Sequence, residues 1–411
     1  MAEIIIVGAG AAGLMAAIRA AREGASVTLL DHNGKAGKKL YITGKGRCNV
    51  TNDCTQDEFL AQVARNPRFL YSALSFFGPQ DMMALLESAG CPVTVQRGRR
   101  VFPATEKASD VTKALLGLLR SPRVRILLNT GVSAVLTENG EARGVRLTDG
   151  GTLKGDAVIL ATGGRSYPMT GSTGDGYRMA SALGHTVTPA SPALSAMETA
   201  DEWPRALQGL SLKNVAMTLK RGKKTLYTEL GEMLFTHFGI SGPLTLEASC
   251  HAPDPLTDAD LTLDLKPGLT PEQLDARLRR EFEAAGKKQL RNVLPALLPA
   301  RLAELFPDLC GIPAEITCNQ VTAQQREALA RTLKALPVRL KALRPVEEAI
   351  VTRGGVSVKE INPATMESRL VPRLYFAGEL IDTDAHTGGY NLQIAFSTGA
   401  LAGSCAALRD A

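Results

Sequence analysis

EIIIVGAGAAGLMAAIRAAREGASVTLLDHN, residues 3–33, decides the fold. Ile4 to Val7 is a short continuous apolar run, the pattern of a strand buried on both faces of a parallel sheet. Gly8, Gly10 and Gly13 follow with the spacing G-x-G-x-x-G. The first allows a tight turn, the second lets a pyrophosphate approach the backbone, and the third lets the helix pack on the strand. The helix opens at Ala11 and Ala12, so free N–H groups and the positive end of the helix dipole would face that pyrophosphate. Ser26 to Leu30 reads as a second strand ending at Asp31, eighteen residues after Gly13, where a carboxylate accepts hydrogen bonds from ribose hydroxyls. His32 and Lys39 lie just beyond it and join the expected cofactor-binding set. A lone glycine fingerprint is weak, but strand, turn, helix, second strand and acid together predict a dinucleotide site.

That fingerprint does not separate FAD from NAD, because both carry an adenosine diphosphate half. Residues 124–164 show strand runs broken at Asn139-Gly140 and Asp149-Gly150-Gly151, both hairpin signals, with Val132 opening the first run. They predict a three-strand meander leading into a buried strand, Ala157 to Leu160, that ends in Ala161, Thr162 and Gly163. This order resembles the FAD-binding half of the glutathione-reductase and fumarate-reductase classes. Near the other end, a strand at Leu374 to Ala377 runs into Gly378 and Glu379, and Gly388-Gly389 precedes a helix opening at Tyr390, Asn391, Leu392 and Gln393. In flavoproteins of that layout the acid holds the ribityl chain and the last helix aims its N-terminus at the flavin pyrimidine. A helix N-terminus there would stabilise the negative charge of a reduced flavin and raise its potential.

Six stretches, TGKGRCNVTN, RVFPATEKASDV, ATGGRSYPMTGSTGDGYRMASALGH, GEMLFTHFGISGP, TRGGVSVKEINPATMESR and LYFAGELIDTDAHTGGYNLQIAFSTG, span nearly the whole chain. On them the chain resembles the YhiN/BaiN-like family of FAD-dependent oxidoreductases. Lys45 stands where that motif usually has another glycine, and Asp31 replaces the commoner Glu. The resemblance implies a discontinuous FAD domain with an insert. The residues agree: after Leu194, β-like stretches alternate with turns, and from Thr270 helical runs are punctuated by Pro295, Pro299, Pro307 and Pro313. The expected fold is therefore α/β, a discontinuous Rossmann-like FAD-binding domain with an inserted β-rich plus helical region. Its parts are placed at 1–194 and 337–411 for the FAD domain, 195–269 for the β-rich insert and 270–336 for the helical one.

Composition narrows the function. Apolar residues at 45% and charged ones at 21% describe a globular chain, and 39 glycines suggest backbone close to a ligand. A formal charge of +6 with a single Trp gives little of the aromatic platform that nucleic-acid readers use, so a small-molecule substrate is expected and nucleic acid is not. The basic runs Arg97 to Arg100 and Lys220 to Lys224 read as solvated turns. Seven scattered cysteines with no C-x-x-C give neither a disulfide framework nor a zinc site, which points to a reduced, cytoplasmic protein without a metal. No secretory signal pattern opens the chain, and the apolar stretch Leu392 to Leu408 carries too many small and polar residues for a membrane span. Oligomeric state is left open.

GKGRCNVTN, residues 45–53, is expected to lie along the cofactor, with Gly44, Gly46, Arg47, Cys48 and Asn49 in contact and Arg47 as a phosphate or flavin-carbonyl partner. Cys48 and Cys54 do not have the spacing of the glutathione-reductase pair, so Cys48 is read as structural. His237, in a glycine-rich loop, is a candidate proton donor. Tyr167 and Arg353, beside glycine segments, are candidates for binding a carbonyl or anionic substrate. The expected activity is hydride transfer through flavin N5 to a carbonyl or enone-like substrate, with NAD(P)H as electron partner. One glycine fingerprint leaves no second Rossmann domain, so the nicotinamide would dock transiently. An oxygen-using oxidase, a flavin-dependent RNA-modifying protein and a redox sensor are the alternatives.

Overall fold

The computed structural model describes residues 2–313 and 315–409. The chain divides into two units, Met1–Ala193 with Pro345–Ala411, and Leu194–Arg344. In the first, strand β1 (Glu3–Val7), helix α1 (Ala11–Arg22) and strand β2 (Ser26–Leu30) form as the sequence predicts. β1 lies at the centre of a five-stranded parallel sheet with the order Leu374–Phe376, Ala157–Leu160, β1, β2, Val124–Leu127. Cover on both faces makes β1 and Ala157–Leu160 apolar runs: Ile4, Ile6, Val158, Ile159 and Leu160 are all buried. Strands Val132–Glu138, Glu141–Leu147 and Thr152–Lys154 make the antiparallel meander. Its first turn, Asn139-Gly140, has φ of 53° and 81°, the left-handed pair that a two-residue hairpin demands.

The C-terminal helix, Tyr390–Leu408, has a physical reason for its small residues. A Cβ added to Gly399 would stand 2.3 Å from the Ala12 carbonyl oxygen, and one on Gly403 would stand 2.2 Å from that of Ala16. The helix therefore meets α1 backbone to backbone. Among the described residues no helix is long and apolar enough to cross a membrane. Behind the strand Leu374–Phe376, His185 is buried, its Nε2 2.8 Å from Ser368 Oγ and its ring edge-on to Phe376.

The second unit is a closed barrel with the order Met197–Thr199, Gly239–Ser241, Lys224–Thr236, Ser211–Arg221, Asp260–Asp264, Leu336–Leu343. Helices Pro271–Ala285, Ala300–Leu309 and Ala323–Lys334 come between its last two strands in sequence, and Leu274, Phe306 and Leu329 join Met217, Phe235 and Leu261 in one core. β-rich and helical stretches thus share a core instead of standing as separate parts. The return expected at Pro337 falls inside the closing strand, where Pro337 sits opposite Thr262, and the first unit resumes at Pro345.

Replacing Gly403 by Val drives a side chain into α1 and is expected to cost roughly 1–3 kcal/mol. Gly117→Ala, in the helix Ala108–Leu118 where a Cβ meets nothing within 4 Å, should stabilise by up to about 1 kcal/mol. Thermal unfolding of both variants checks the pair; a Gly403→Val protein as stable as the parent would refute the seam.

Candidate functional site

The glycine turn after β1 is built for backbone contact. A Cβ on Gly13 would stand 1.7 Å from the Gly8 carbonyl oxygen, whereas one on Gly10 would meet nothing within 4 Å. Gly13 is thus the packing glycine and Gly10 the open one. Leu14 is the first residue of α1 whose N–H bonds back, to Gly10 at 2.9 Å, so those of Ala11, Ala12 and Gly13 make up the unpaired first turn. Asp31 Oδ2 accepts from Ala9 N at 2.8 Å and Oδ1 from Asn33 N at 2.8 Å, which fixes the carboxylate against the turn. His32 is exposed beside it. Val132 opens a meander strand two residues after Thr130, whose N–H donates to the Asp31 carbonyl at 2.8 Å. Ala161 donates to the Val7 carbonyl at 2.9 Å, bringing the segment Ala161, Thr162, Gly163 against Gly8. Thr162 itself turns its hydroxyl toward Gly176.

Glu379 has a fuller set of partners than the sequence suggests. Its Oε2 meets Lys39 Nζ at 2.7 Å, and its Oε1 accepts from Ser166 Oγ at 3.0 Å and Thr352 N at 2.8 Å. Thr352 Oγ1 in turn accepts from the N–H groups of Arg165 and Ser166. Burial opposes the charge on Glu379, but Lys39 and these hydrogen bonds hold its carboxyl below the usual carboxylate range. Ser166 and Thr352 carry no signal in the sequence beyond their place in the ATGGRS and TRGG stretches.

In the loop after Lys39, Gly44, Lys45, Gly46 and Cys48 all have left-handed φ, between 56° and 86°. Cys48 is buried and bonded to Thr43, and burial pushes its thiol up to about 12. Cys54 is likewise pushed up to about 11, and all seven cysteines are free. Arg47, expected to face the cofactor, has partners within the chain. Its guanidinium lies 4.4 Å over the Phe102 ring and bonds Glu106 at 3.1 Å, because the strand Arg100–Pro103 offers it an aromatic face and a carboxylate nearby. Asn49 Oδ1 and Thr51 Oγ1 are buried with no partner among the described residues, as is Thr383 Oγ1.

Asn52 donates to both Gly98 O, at 3.0 Å, and Gly388 O, at 3.1 Å, and so joins this loop to the start of the C-terminal helix. A Cβ on Gly389 would stand 2.3 Å from the Thr51 carbonyl oxygen. Gln393 is the first residue of that helix to bond back, to Gly389 at 3.1 Å, so the N–H groups of Tyr390, Asn391 and Leu392 form its open turn. Their side chains do structural work: Tyr390 packs edge-on to Phe59, and Asn391 bonds Ala385 N at 2.9 Å and Ala385 O at 2.7 Å. Gln393 Nε2 donates into the core, to Phe77 O at 3.2 Å.

Of the reacting-group candidates, Arg353 pairs with the buried Asp384 at 3.2 Å, and Tyr167 is half-buried with a left-handed φ of 52°. Burial raises the Tyr167 phenol above its ordinary value. His237 lies exposed at a hairpin tip of the second unit, its ring against Phe238. Asp384 is the residue that sequence reading passed over, since nothing local marks an acid as fully buried. The residues present fit FAD. One open helix N-terminus suits a pyrophosphate, an acid stands at the end of β2, a second open helix N-terminus suits an electron-rich ring edge, and buried oxygens of Asn49 and Thr51 lack donors that a bound group would supply.

The family described as HI0933-like protein Rossmann domain matches residues 2–405. A 3-dehydro-bile acid delta(4,6)-reductase from Clostridium scindens is 32% identical over 415 residues, covering 100% of both chains. A ribosomal RNA dihydrouridine synthase from Escherichia coli is 32% identical over 398 residues, covering 96% of each. Among solved structures, a 3-ketosteroid-delta4-(5alpha)-dehydrogenase from Rhodococcus jostii RHA1 superimposes with a TM-score of 0.55 at 16% identity, over 99% of this chain and 96% of that one, which shows the shared fold.

A thiol held near 12 stays protonated through pH 9, so Cys48 should resist iodoacetamide at pH 8 in the folded protein and react once it is unfolded. Peptide mass spectrometry checks this, and ready native labelling of Cys48 would contradict it. Cys48→Ala is expected to keep both cofactor and turnover.

Proposed function

The chain belongs to the HI0933-like Rossmann family and is an FAD-dependent oxidoreductase; from that premise we propose that it reduces a carbon–carbon double bond conjugated to a carbonyl, with NAD(P)H as electron donor. The observation that carries the cofactor is the pair of open helix N-termini, α1 and Tyr390–Leu408, in one Rossmann unit. The names of two relatives that this chain matches over nearly their whole length support the bond type. A delta(4,6)-reductase saturates a double bond of a 3-oxo compound, and a dihydrouridine synthase saturates the uracil bond next to a carbonyl.

Bound FAD supplies a hydride through N5. The N–H groups of Ala11, Ala12 and Gly13 would hold its pyrophosphate, Asp31 its adenosine ribose, and those of Tyr390, Asn391 and Leu392 the pyrimidine edge of its flavin. Lys39, Ser166 and Thr352 hold Glu379, which would take the ribityl chain. Arg353 faces the substrate's carbonyl oxygen, where negative charge collects as hydride reaches the far end of the double bond. Tyr167 is the side chain proposed to supply the proton that completes saturation.

A second reading, uridine in RNA as the acceptor, is favoured by the dihydrouridine synthase relative and by the +6 charge, and it uses the same bond chemistry. Anaerobic incubation of the holoprotein with NADPH and 2-cyclohexenone, and separately with a uridine-containing ribosomal RNA fragment, is expected to add two hydrogens to one acceptor, read by mass spectrometry. Reduction of neither acceptor, in holoprotein whose flavin NADPH does reduce, would refute the proposal. Glu379→Gln, which leaves Lys39 without its counter-charge, should lower FAD retention by about tenfold, since charge-assisted pairs of this kind carry roughly 1.5–3 kcal/mol.

A further inference from the structure

Asp384 has no exposed surface, yet it carries a carboxylate. Among the described residues its one cation is Arg353: Nη2 lies 3.2 Å and Nε 3.4 Å from the same oxygen, Oδ2, while Oδ1 has no partner. Breaking such a pair leaves an uncompensated buried charge, so the carboxylate holds its single cation strongly. The pair is also lopsided. The Arg353 side chain is 21% exposed and that of Asp384 is 0% exposed, so the guanidinium spans from a buried anchor to solvent.

The anchor is rigid. The Asp384 carbonyl accepts from Ala64 N at 2.9 Å and Arg65 N at 3.2 Å. Its neighbour Ala385 is bridged to Val63 and bonded to Asn391, the second residue of the C-terminal helix. Two residues earlier, Asp382 pairs with Arg65 at 2.9 Å and accepts from Thr188 Oγ1 at 3.0 Å. Arg353 is the mobile half, a long side chain on the strand Val351–Val356 that would otherwise sample many rotamers. Its neighbour Thr352 is itself bonded to Glu379.

We propose that Asp384 is a positioning residue: through the ion pair it fixes Arg353 relative to the start of the C-terminal helix, so that the guanidinium receives the carbonyl oxygen of the substrate. This rests on the reading that a carbonyl-conjugated double bond is reduced. In that reaction the substrate takes a hydride from reduced FAD at the β-carbon, its π pair moves onto the carbonyl oxygen, and a proton then closes the α-carbon. Two electrons and two hydrogens are gained by the substrate, and reduced FAD returns to the oxidised form. Charge on the oxygen is greatest midway, and a donor already in place there stabilises it without rearranging.

The test uses FAD-loaded Asp384→Asn, which keeps the side-chain shape and removes the charge, and two readouts. Peptide mass spectrometry after phenylglyoxal treatment is expected to show Arg353 labelled severalfold faster in the variant than in the parent. Dithionite-reduced protein is then mixed with 2-cyclohexenone or with oxygen. The enone-driven reoxidation should slow about tenfold or more, as loss of an oriented oxyanion donor does, while oxygen-driven reoxidation should not change. Unchanged labelling, an unchanged enone rate, or equal slowing with both oxidants would overturn the positioning role while leaving the reading intact. A parent protein that is inert to the enone and active with oxygen would overturn the reading and this inference with it. Should Asp384→Asn fail to fold, Arg353→Lys, which keeps the charge but shortens and reshapes the donor, should give the same selective loss with the enone.

Discussion

Backbone contact between α1 and the C-terminal helix is the constraint on which the rest of the first unit depends. It exists because Gly399 and Gly403 present no side chain to the carbonyls of Ala12 and Ala16. The contact fixes the last helix beside the first, so that residues from opposite ends of the chain share one wall. From there the start of the C-terminal helix falls against Thr51, where Gly389 again leaves no room for a Cβ. Two helix N-termini are thereby held in one unit, each with an unpaired first turn. A dinucleotide bearing both a pyrophosphate and an electron-rich ring makes use of both.

Around this frame, three carboxylates are placed where burial makes a charge costly, and each of the three has a cation. Glu379 has Lys39, Asp382 has Arg65, and Asp384 has Arg353. Pairs of this kind add little net stability, because desolvation offsets most of the attraction. Their effect is geometric. They tie the loop after β2, the segment around Arg65 and the strand Val351–Val356 to the stretch 379–384 that precedes the last helix. The polar chemistry of the unit is thus fixed by contacts between segments distant in sequence.

This explains what could be read from the sequence. The glycine fingerprint, Asp31, the meander and the helix after Gly389 are local patterns with local causes, and they appear where the residues put them. The sequence reads Cys48 as structural because no second thiol stands at a reactive spacing, and in the structure it is buried. Side-chain direction was not legible. Arg47 turns to Phe102 and Glu106, and Gln393 turns to Phe77, because partners brought from elsewhere in the fold lie on those sides. The closing barrel strand shows the same limit. LPVRLKAL, residues 336–343, alternates as a strand should, but its proline reads as a boundary until the pairing with Thr262 is seen. Asp384 was hidden most completely, as burial of an acid is a property of the packed chain alone.

The most direct measurement is anaerobic: purified protein is reconstituted with FAD, its flavin content is determined, and absorbance near ~450 nm, the reporter of the flavin redox state, is followed on mixing with NADPH or NADH. One FAD bound per chain and rapid bleaching by a reduced nicotinamide are expected. Failure to retain FAD would contradict the paired helix starts as its cradle, and tight FAD that neither nicotinamide bleaches would contradict a nicotinamide-driven reductase.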